Sequence, residues 1–506
     1  MKRKKITYLV VLALVAILFA GMPMNVSATG PPPDIEWVDQ FGVPGGIYDQ
    51  GRAIHADGDV YAIGFTEGAL PGQTSAGGLD AYIRKYDTSG TELWTHQFGT
   101  PADDGVWGFY VDGSGVYIAG HTGGTFPGQT SSGGNDVFVR KYDHDGNEIW
   151  TLQFGTSGHE SASSICVDGS GIYVAGRTNT AFPGQTFAGW EDAFVRKYDH
   201  NLNELWTREF GTVGRDYAGA IAVYGSGIYV SGRVDRALPG QTWYGWVDCY
   251  IRKYDPNGNE LWTRQFGTSH WDDPYHTLSV DATGVYISGR TMGTLPGQTM
   301  AGYCDAFVRK YDHAGNELWT RQFGTTARDE AWSTAVDSSG VYVTGFTDDI
   351  LPGQTSSGGR DAFLRKYDLD GNELWTIQFG TSSFDMALWN SVDSSGVYVT
   401  GLTEGAFPGH TNAGGWDIFV AKFSFGCTID QLIDMVNSAG LPKGITQSLL
   451  AKLYAAKNSY DEGRDHTGNN QLGAFINHVE ALKGKKIPMT TADEFIAKAG
   501  SIIAQH

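Results

Sequence analysis

"RDAFLRKYDLDGNELWTIQFGTS" (Arg360–Ser382) is nearly rewritten by "CDAFVRKYDHAGNELWTRQFGTT" (Cys304–Thr326), and further copies precede both. Each copy holds two strand-like runs, Asp361–Asp368 and Asn372–Gly380 in the first, rich in β-branched and aromatic residues. The Asp, Gly and Asn between them are hairpin-turn residues.

Working outward, Pro-Gly-Gln-Thr begins at Pro71, Pro127, Pro183, Pro239, Pro296 and Pro352, and a seventh copy at Pro408 reads Pro-Gly-His-Thr. The step is 56 residues, stretched to 57 between Pro239 and Pro296. The strand-opening aspartate keeps the same beat: Asp80, Asp136, Asp192, Asp248, Asp305, Asp361 and Asp417. Two more runs complete each unit, "WSTAVD" (Trp332–Asp337) and "GVYVTGFT" (Gly340–Thr347) in the sixth. Four short strands repeated seven times at this period predict an all-β, seven-bladed β-propeller of four-stranded antiparallel blades. The array begins with a spare last strand, Ile35–Gly42, and ends after a third strand, Asp417–Ser424. Residues 35–425 are therefore expected to close as a ring by pairing 35–42 with 417–424, which removes two exposed edges.

The flanks differ from the array. Apolar residues switch to helical spacing in 426–506 (Leu432, Ile433, Val436; Leu449, Leu453; Leu472, Phe475, Val479; Phe495, Ala499), which predicts a small α-helical domain of about four helices. Thr428 with Gln431 and Thr491 with Glu494 read as capping boxes, and Gly440, Gly463 and Gly484 as helix ends. At the other end, the basic Met1–Lys5, the apolar Leu9–Ala20 and the small Val26–Ala28 read as a signal peptide over 1–28, followed by a linker at 29–34. The mature chain is expected to be secreted or cell-surface and to lack a transmembrane segment. Losing that peptide removes four cations and no acids, so the formal charge moves from −20 to −24. Such a surface repels phosphate backbones and anionic lipid, which argues against nucleic acid as a partner. Cys166, Cys249, Cys304 and Cys427 sit at unrelated repeat positions and read as small core fillers; no spacing suggests zinc.

The repeat, with "VDGSGVYIAG" (Val111–Gly120) and "DAFVRKYD" followed by Gly-Asn-Glu-Leu-Trp, resembles the seven-bladed β-propeller repeat family abbreviated SBBP, over about Ile35–Ser424. That resemblance implies an exported or surface-displayed propeller and no particular reaction. Phe475–Val479, "FINHV", resembles the hallmark of the FIMAH domain found at the ends of exported bacterial proteins, with His478 departing from it. This second resemblance implies a surface or adhesion accessory.

Two long loops per blade emerge on one face, before the first strand and between the second and third, and repeat proteins usually place binding there. An acid recurs at the entry to each first strand: Asp49, Asp104, Glu160, Asp216, Asp273, Asp329 and Asp385. Such a ring could hold cations, calcium among them; the simpler reading is that each acid caps its own loop. "DHDGNE" (Asp143–Glu148) and "DLDGNE" (Asp368–Glu373) resemble the start of a calcium loop but lack its last ligand, and a hairpin turn explains them. No catalytic residue breaks the repeat's symmetry, so the chain reads as non-enzymatic, without a required cofactor.

One loop does break the symmetry. Blades three to five carry Phe187 and Trp190, Trp243 and Trp246, Met300 and Tyr303 where the outer blades carry Ser or Asn and Gly, and Trp271 and Tyr275 lie in a neighbouring loop. These side chains either stiffen their loops or form a ligand surface, because contiguous exposed aromatics mark sugar or protein partners. The expectation is a secreted or cell-surface binding or adhesion scaffold for an extracellular polysaccharide or surface protein. The alternatives are a glycan-active enzyme using loop-face carboxylates, or a structural surface-layer component.

Overall fold

Alternating β-branched and aromatic residues between glycine-bearing turns form the expected strands, and seven sheets of four antiparallel strands make the propeller. The computed structural model describes residues 32–46, 48–275, 278–426 and 428–505. The proposed signal peptide at 1–28 and Cys427 lie outside the described residues.

Blade one runs Gln50–Asp57, Asp59–Glu67, Leu79–Tyr86 and Glu92–Phe98 in meander order, and its sisters follow it. Blade seven takes its outer strand from the chain start: Asp34–Phe41 pairs with Asp417–Ser424, from Asp34 opposite Ser424 to Phe41 opposite Ile418. Each Pro-Gly-Gln-Thr begins a tight turn. In blade two Gly128 has φ 76°, and the Gln129 N–H donates to Phe126 O at 3.0 Å. Proline presets the first central residue and only glycine takes the second without strain, the chemistry of a type II turn. On the opposite face, "DxxGNE" is an Asx-stabilised hairpin: Asn147 N and Nδ2 donate to Asp143 Oδ1 and Oδ2 at 2.8 and 2.9 Å. Asp143 spends both oxygens on its own turn.

Blades adhere through apolar faces and a repeated arginine. Tyr117 and Val139 of blade two meet Ile165, Val174 and Phe194 of blade three. The arginine of each "RKY" lies over the phenylalanine of the previous blade, with Arg140 Cζ 4.4 Å from the Phe98 ring centre and Arg252 Cζ 4.1 Å from that of Phe210. Its Nε donates to a threonine on the neighbouring strand, 2.7 Å in both cases, so the buried charge keeps a partner.

The first strands line the channel, and six of them carry a β-bulge at the same place. The extra residue is Arg52, Trp107, Ser163, Gly219, Trp332 or Leu388. A bulge opposes two residues to one and re-aims a side chain. Blade five takes this further: its first strand is split into Asp272–Asp273 and Ser279–Asp281. Pro274 has no N–H to give the ladder, and Tyr275 adopts φ 49°.

The C-terminal helices are α1 (Ile429–Ser438), α2 (Lys443–Asp461), α3 (Asp465–Leu482) and α4 (Met489–Gln505), packed around Leu432, Leu453, Phe475 and Phe495. Thr428 and Gln431 form the expected capping box. Thr491 does not cap: α4 starts earlier, its ladder opening with Ala492 N to Pro488 O at 2.9 Å, because proline is well suited to a helix start. Among the described residues no helix is long and apolar enough to cross a membrane.

Candidate functional site

The entry acids are caps. In six blades the carboxylate accepts the N–H of the threonine in "FGT", at 2.5 Å for Asp104 and 2.6 Å for Glu160, Asp329 and Asp385; Asp49 takes the N–H of Val43 at 2.7 Å. In blade five the cap is Asp272, reached by Thr268 N at 2.6 Å, not the expected Asp273. The extra residue of that blade shifts the count by one. All the caps are buried, and each faces the strand-opening aspartate of the preceding blade across the glycine of "FGT". A Cβ on Gly99 would fall 2.2 Å from Asp80 Oδ1 and 2.9 Å from Asp104 Oδ2, so only glycine admits both carboxylates. Burial raises Asp104, Asp329 and Asp385 above the ordinary carboxylate range, although the threonine ending each second strand opposes it. Blade four has Val234 in place of that threonine, and burial pushes Asp216 up to about 7.

The bulges build the other feature of this face. Arg52, Trp107, Ser163, Gly219, Tyr275 and Trp332, the re-aimed residues of six blades, surround a cavity of about 320 Å³ at the channel mouth. Its remaining wall comes from second-strand ends, His121, Gly232, Arg177 and Arg233, with Ser161, Tyr217 and Asp273. Tyr275 stacks on Trp332 with ring centres 4.1 Å apart, and its hydroxyl donates to Glu330 at 2.5 Å. Arg233 pairs with Asp273. Burial opposes ionisation of Asp273, but Arg233 and Arg290 outweigh it and hold the carboxyl below its ordinary value. Burial, with Arg177 nearby, pulls His121 down to about 4, so it is neutral at pH 7. Arg52 differs from the others: its guanidinium lies 4.2 Å from the Trp107 ring centre and, among the described residues, makes no hydrogen bond or ion pair. Burial lowers it to about 10, which leaves it charged.

A larger cavity of about 740 Å³ adjoins through Arg233, and one of about 390 Å³ through Arg177 and Tyr217. The large one is walled by Trp190, Trp243, Trp246 and Trp271 together with Arg215 and Arg236. The cavities form one groove from the channel mouth outward over blades three to five.

The structure brings Trp190, Trp243, Trp246 and Trp271 to the outer groove and Tyr275 to the channel mouth. Trp190, Trp246 and Tyr303 are 71, 73 and 64% exposed, so they do not pack over one another. Arg236 lies 4.8 Å from the Trp243 ring centre and Arg215 5.7 Å from that of Trp190. Phe187 and Met300 are half-buried and line none of these cavities, and Tyr303 stands outside them. The arginines of the groove are absent from the sequence reading, yet a signal existed. The residue before the second strand's threonine, or before Val234 in blade four, reads Phe65, His121, Arg177, Arg233, Arg290, Phe346, Leu402 around the ring, a break in symmetry over the same blades.

No family model matches the chain. It is 25% identical over 410 residues to "Regulatory protein FlaEY" of Caulobacter vibrioides, covering 70% of this chain and 42% of that protein. It is 24% identical over 379 residues to "Uncharacterized WD repeat-containing protein L264" of Acanthamoeba polyphaga mimivirus, covering 64% of this chain and 26% of the other. The chain thus spans less than half of either relative. Among solved structures it is similar to "Phage phi92 endosialidase", at 9% identity and a TM-score of 0.41, covering 77% of this chain and 69% of that one.

Proposed function

We propose that the protein is an exported, non-catalytic binding scaffold that holds an extracellular polysaccharide along the groove of blades three to five. The observation that carries this reading is the cavity of about 740 Å³ walled by four tryptophans from successive loops, two of them among the most exposed aromatics of the molecule. Flat rings in an open groove stack on the apolar faces of sugars, while adjacent guanidinium groups supply hydrogen-bond donors. Three adjoining cavities that share lining residues suit a chain more than a single small molecule. The resemblances to repeats and terminal domains of exported proteins support the same reading.

The test is a titration of the full chain, by calorimetry and thermal shift, against a panel of soluble polysaccharides and their oligosaccharides. Saturable binding without chain cleavage is the expected result. Release of shorter products from the same samples would replace the scaffold reading by a glycan-active enzyme. Absence of binding to every glycan would remove polysaccharide as the ligand and leave a surface protein.

A further inference from the structure

We propose that the channel-mouth cavity is a seat for a carboxylate, and hence that the polysaccharide held in the groove is an acidic one whose sugar acid docks on Arg52. This rests on the groove being a saccharide site and adds to it the chemical class of the ligand.

Charge is the first argument. The chain carries a formal charge of −20, yet the three joined cavities are lined by five arginines (Arg52, Arg177, Arg215, Arg233 and Arg236) against three carboxylates (Glu191, Asp235 and Asp273). With His121 neutral, two positive charges stay uncompensated in the only arginine-rich concavity among the cavities described. An acidic surface around a basic floor repels an anion everywhere but at that floor, which focuses the ligand there.

The second argument is the state of the individual arginines. Arg233 is neutralised by Asp273, and Arg177 faces Glu191 at 3.7 Å. Arg52 has only rings beside it, Trp107 at 4.2 Å and Phe65 at 5.1 Å. Burying a guanidinium without a partner is costly unless a ligand supplies the partner. The Trp107 and Phe65 rings flank the guanidinium and restrict it, and a bulge presents the residue to the cavity, so the charge is positioned there before any ligand arrives. A planar fork matches a carboxylate bidentately. The third argument is size: about 320 Å³ lies at the small end of ligand sites and takes one sugar residue rather than a chain. The rest of the chain then runs outward over the tryptophans.

The experiment uses the full chain, with glucuronate and glucose as monosaccharides, acidic and neutral oligosaccharides of equal length, and inorganic sulfate and phosphate. Binding is read by calorimetry at low and high salt. Expected are at least a tenfold preference for the acidic oligosaccharide, a preference that shrinks with salt, and measurable binding of glucuronate but not glucose. Arg52→Gln should abolish the preference while neutral binding persists; Arg52→Lys should restore only part of it, because an ammonium offers no fork. Circular dichroism melts of both variants check the fold. Equal binding of acidic and neutral chains would overturn the carboxylate seat and leave the groove reading standing. Glucuronate binding with no oligosaccharide binding would uphold the seat and remove the groove. Sulfate or phosphate bound more tightly than glucuronate, or no binding by any probe, would overturn the proposal.

Discussion

Blades three to five and blades six, seven and one share strands, turns and caps, and they part company where a side chain leaves the blade. Two residues before the strand-opening aspartate stand Trp190, Trp246 and Tyr303 in the first sector, and Gly359, Gly415 and Gly78 in the second. At the second-strand end stand Arg177, Arg233 and Arg290 in the first, and Phe346, Leu402 and Phe65 in the second. The glycines are not merely small. A Cβ at Gly78 would lie 2.2 Å from Asp103 Oδ1, and at Gly359 3.1 Å from the Phe384 ring, because the next blade reaches across. In the first sector the next blade contributes arginines or tryptophan at that place, Arg215, Trp271 and Arg328, beside which a large ring projects outward. The apolar trio of the second sector is buried, so these positions are spent on packing, while the first strands of blades one and six still lend Arg52 and Trp332 to the cavity. At these two positions one sector is structural filling and the other faces the groove, on an identical frame.

Breaking the difference outright should have the largest effect. Trp190→Ala, Trp246→Ala and Tyr303→Ala together should weaken polysaccharide binding by roughly 100-fold, as the loss of interface anchors does. Because all three are exposed, the melting temperature should move by no more than a few degrees. Ser131→Ala with Ser356→Ala, in the corresponding loops of the other blades, should leave affinity unchanged; calorimetry on both sets decides the matter.

Trying to extend the aromatic row should fail. Gly134 of blade two has the His159 ring 2.4 Å and Gly158 O 2.8 Å from where a Cβ would be. Gly134→Trp is expected to cost about 1–3 kcal/mol by overpacking and to add no affinity. A denaturation midpoint equal to the parent's would show that the loop yields.

A smaller effect marks the junction under the groove. Six blades place glutamine before the "FG" dipeptide, and Gln153 Nε2, for one, donates to Asp136 at 2.8 Å; blade three has Glu209. Burial, with Asp192 and Glu160 close by, pushes Glu209 up to about 7. The unfolded chain binds fewer protons than the native one between pH ~4.5 and ~7, so this group's contribution to stability declines as pH rises through that window. Glu209→Gln should therefore stabilise by on the order of 1–2 kcal/mol at pH 8 and by little at pH 4. Urea unfolding at the two pH values measures it, and a pH-independent difference would refute the burial argument.

Smallest is Val234→Thr, which restores the hydroxyl that six sister blades aim at their cap. Asp216 should then titrate below about 7. The stability gain at pH 8 should be under about 1 kcal/mol, since a buried methyl is traded for a hydroxyl. NMR titration of the Asp216 carboxyl provides the check.

Much of the frame was legible because its determinants are local and repeated seven times. Tyr, Val and Phe alternation, the Pro-Gly turn and the Asp-x-x-Gly-Asn hairpin each report on a few consecutive residues, and repetition makes the pattern readable. The aromatic row was legible for the opposite reason, as a departure from the repeat. The arginines were passed over because "AGRT" differs from "TGFT" at a position that reads as ordinary strand. Asp273 was misassigned because the one inserted residue of blade five falls inside the first strand, after the capping Asp272, so a count back from the downstream "VD" takes the wrong acid.

The sequence by itself determined the number of blades, the phase of the strands and the offset by which Asp34–Phe41 completes the last blade, since these follow from period and turn chemistry. Only the tertiary structure decided what faces the channel. A bulge inverts the in–out alternation within six of the seven first strands, so Arg52, Trp107 and Trp332 point where period two would not place them. It also decided that Arg52, among the described residues, has neither an ion pair nor a side-chain hydrogen bond. Charge partners such as Arg233 and Asp273 are forty residues apart in the chain and become neighbours only when successive blades are wedged side by side around the axis.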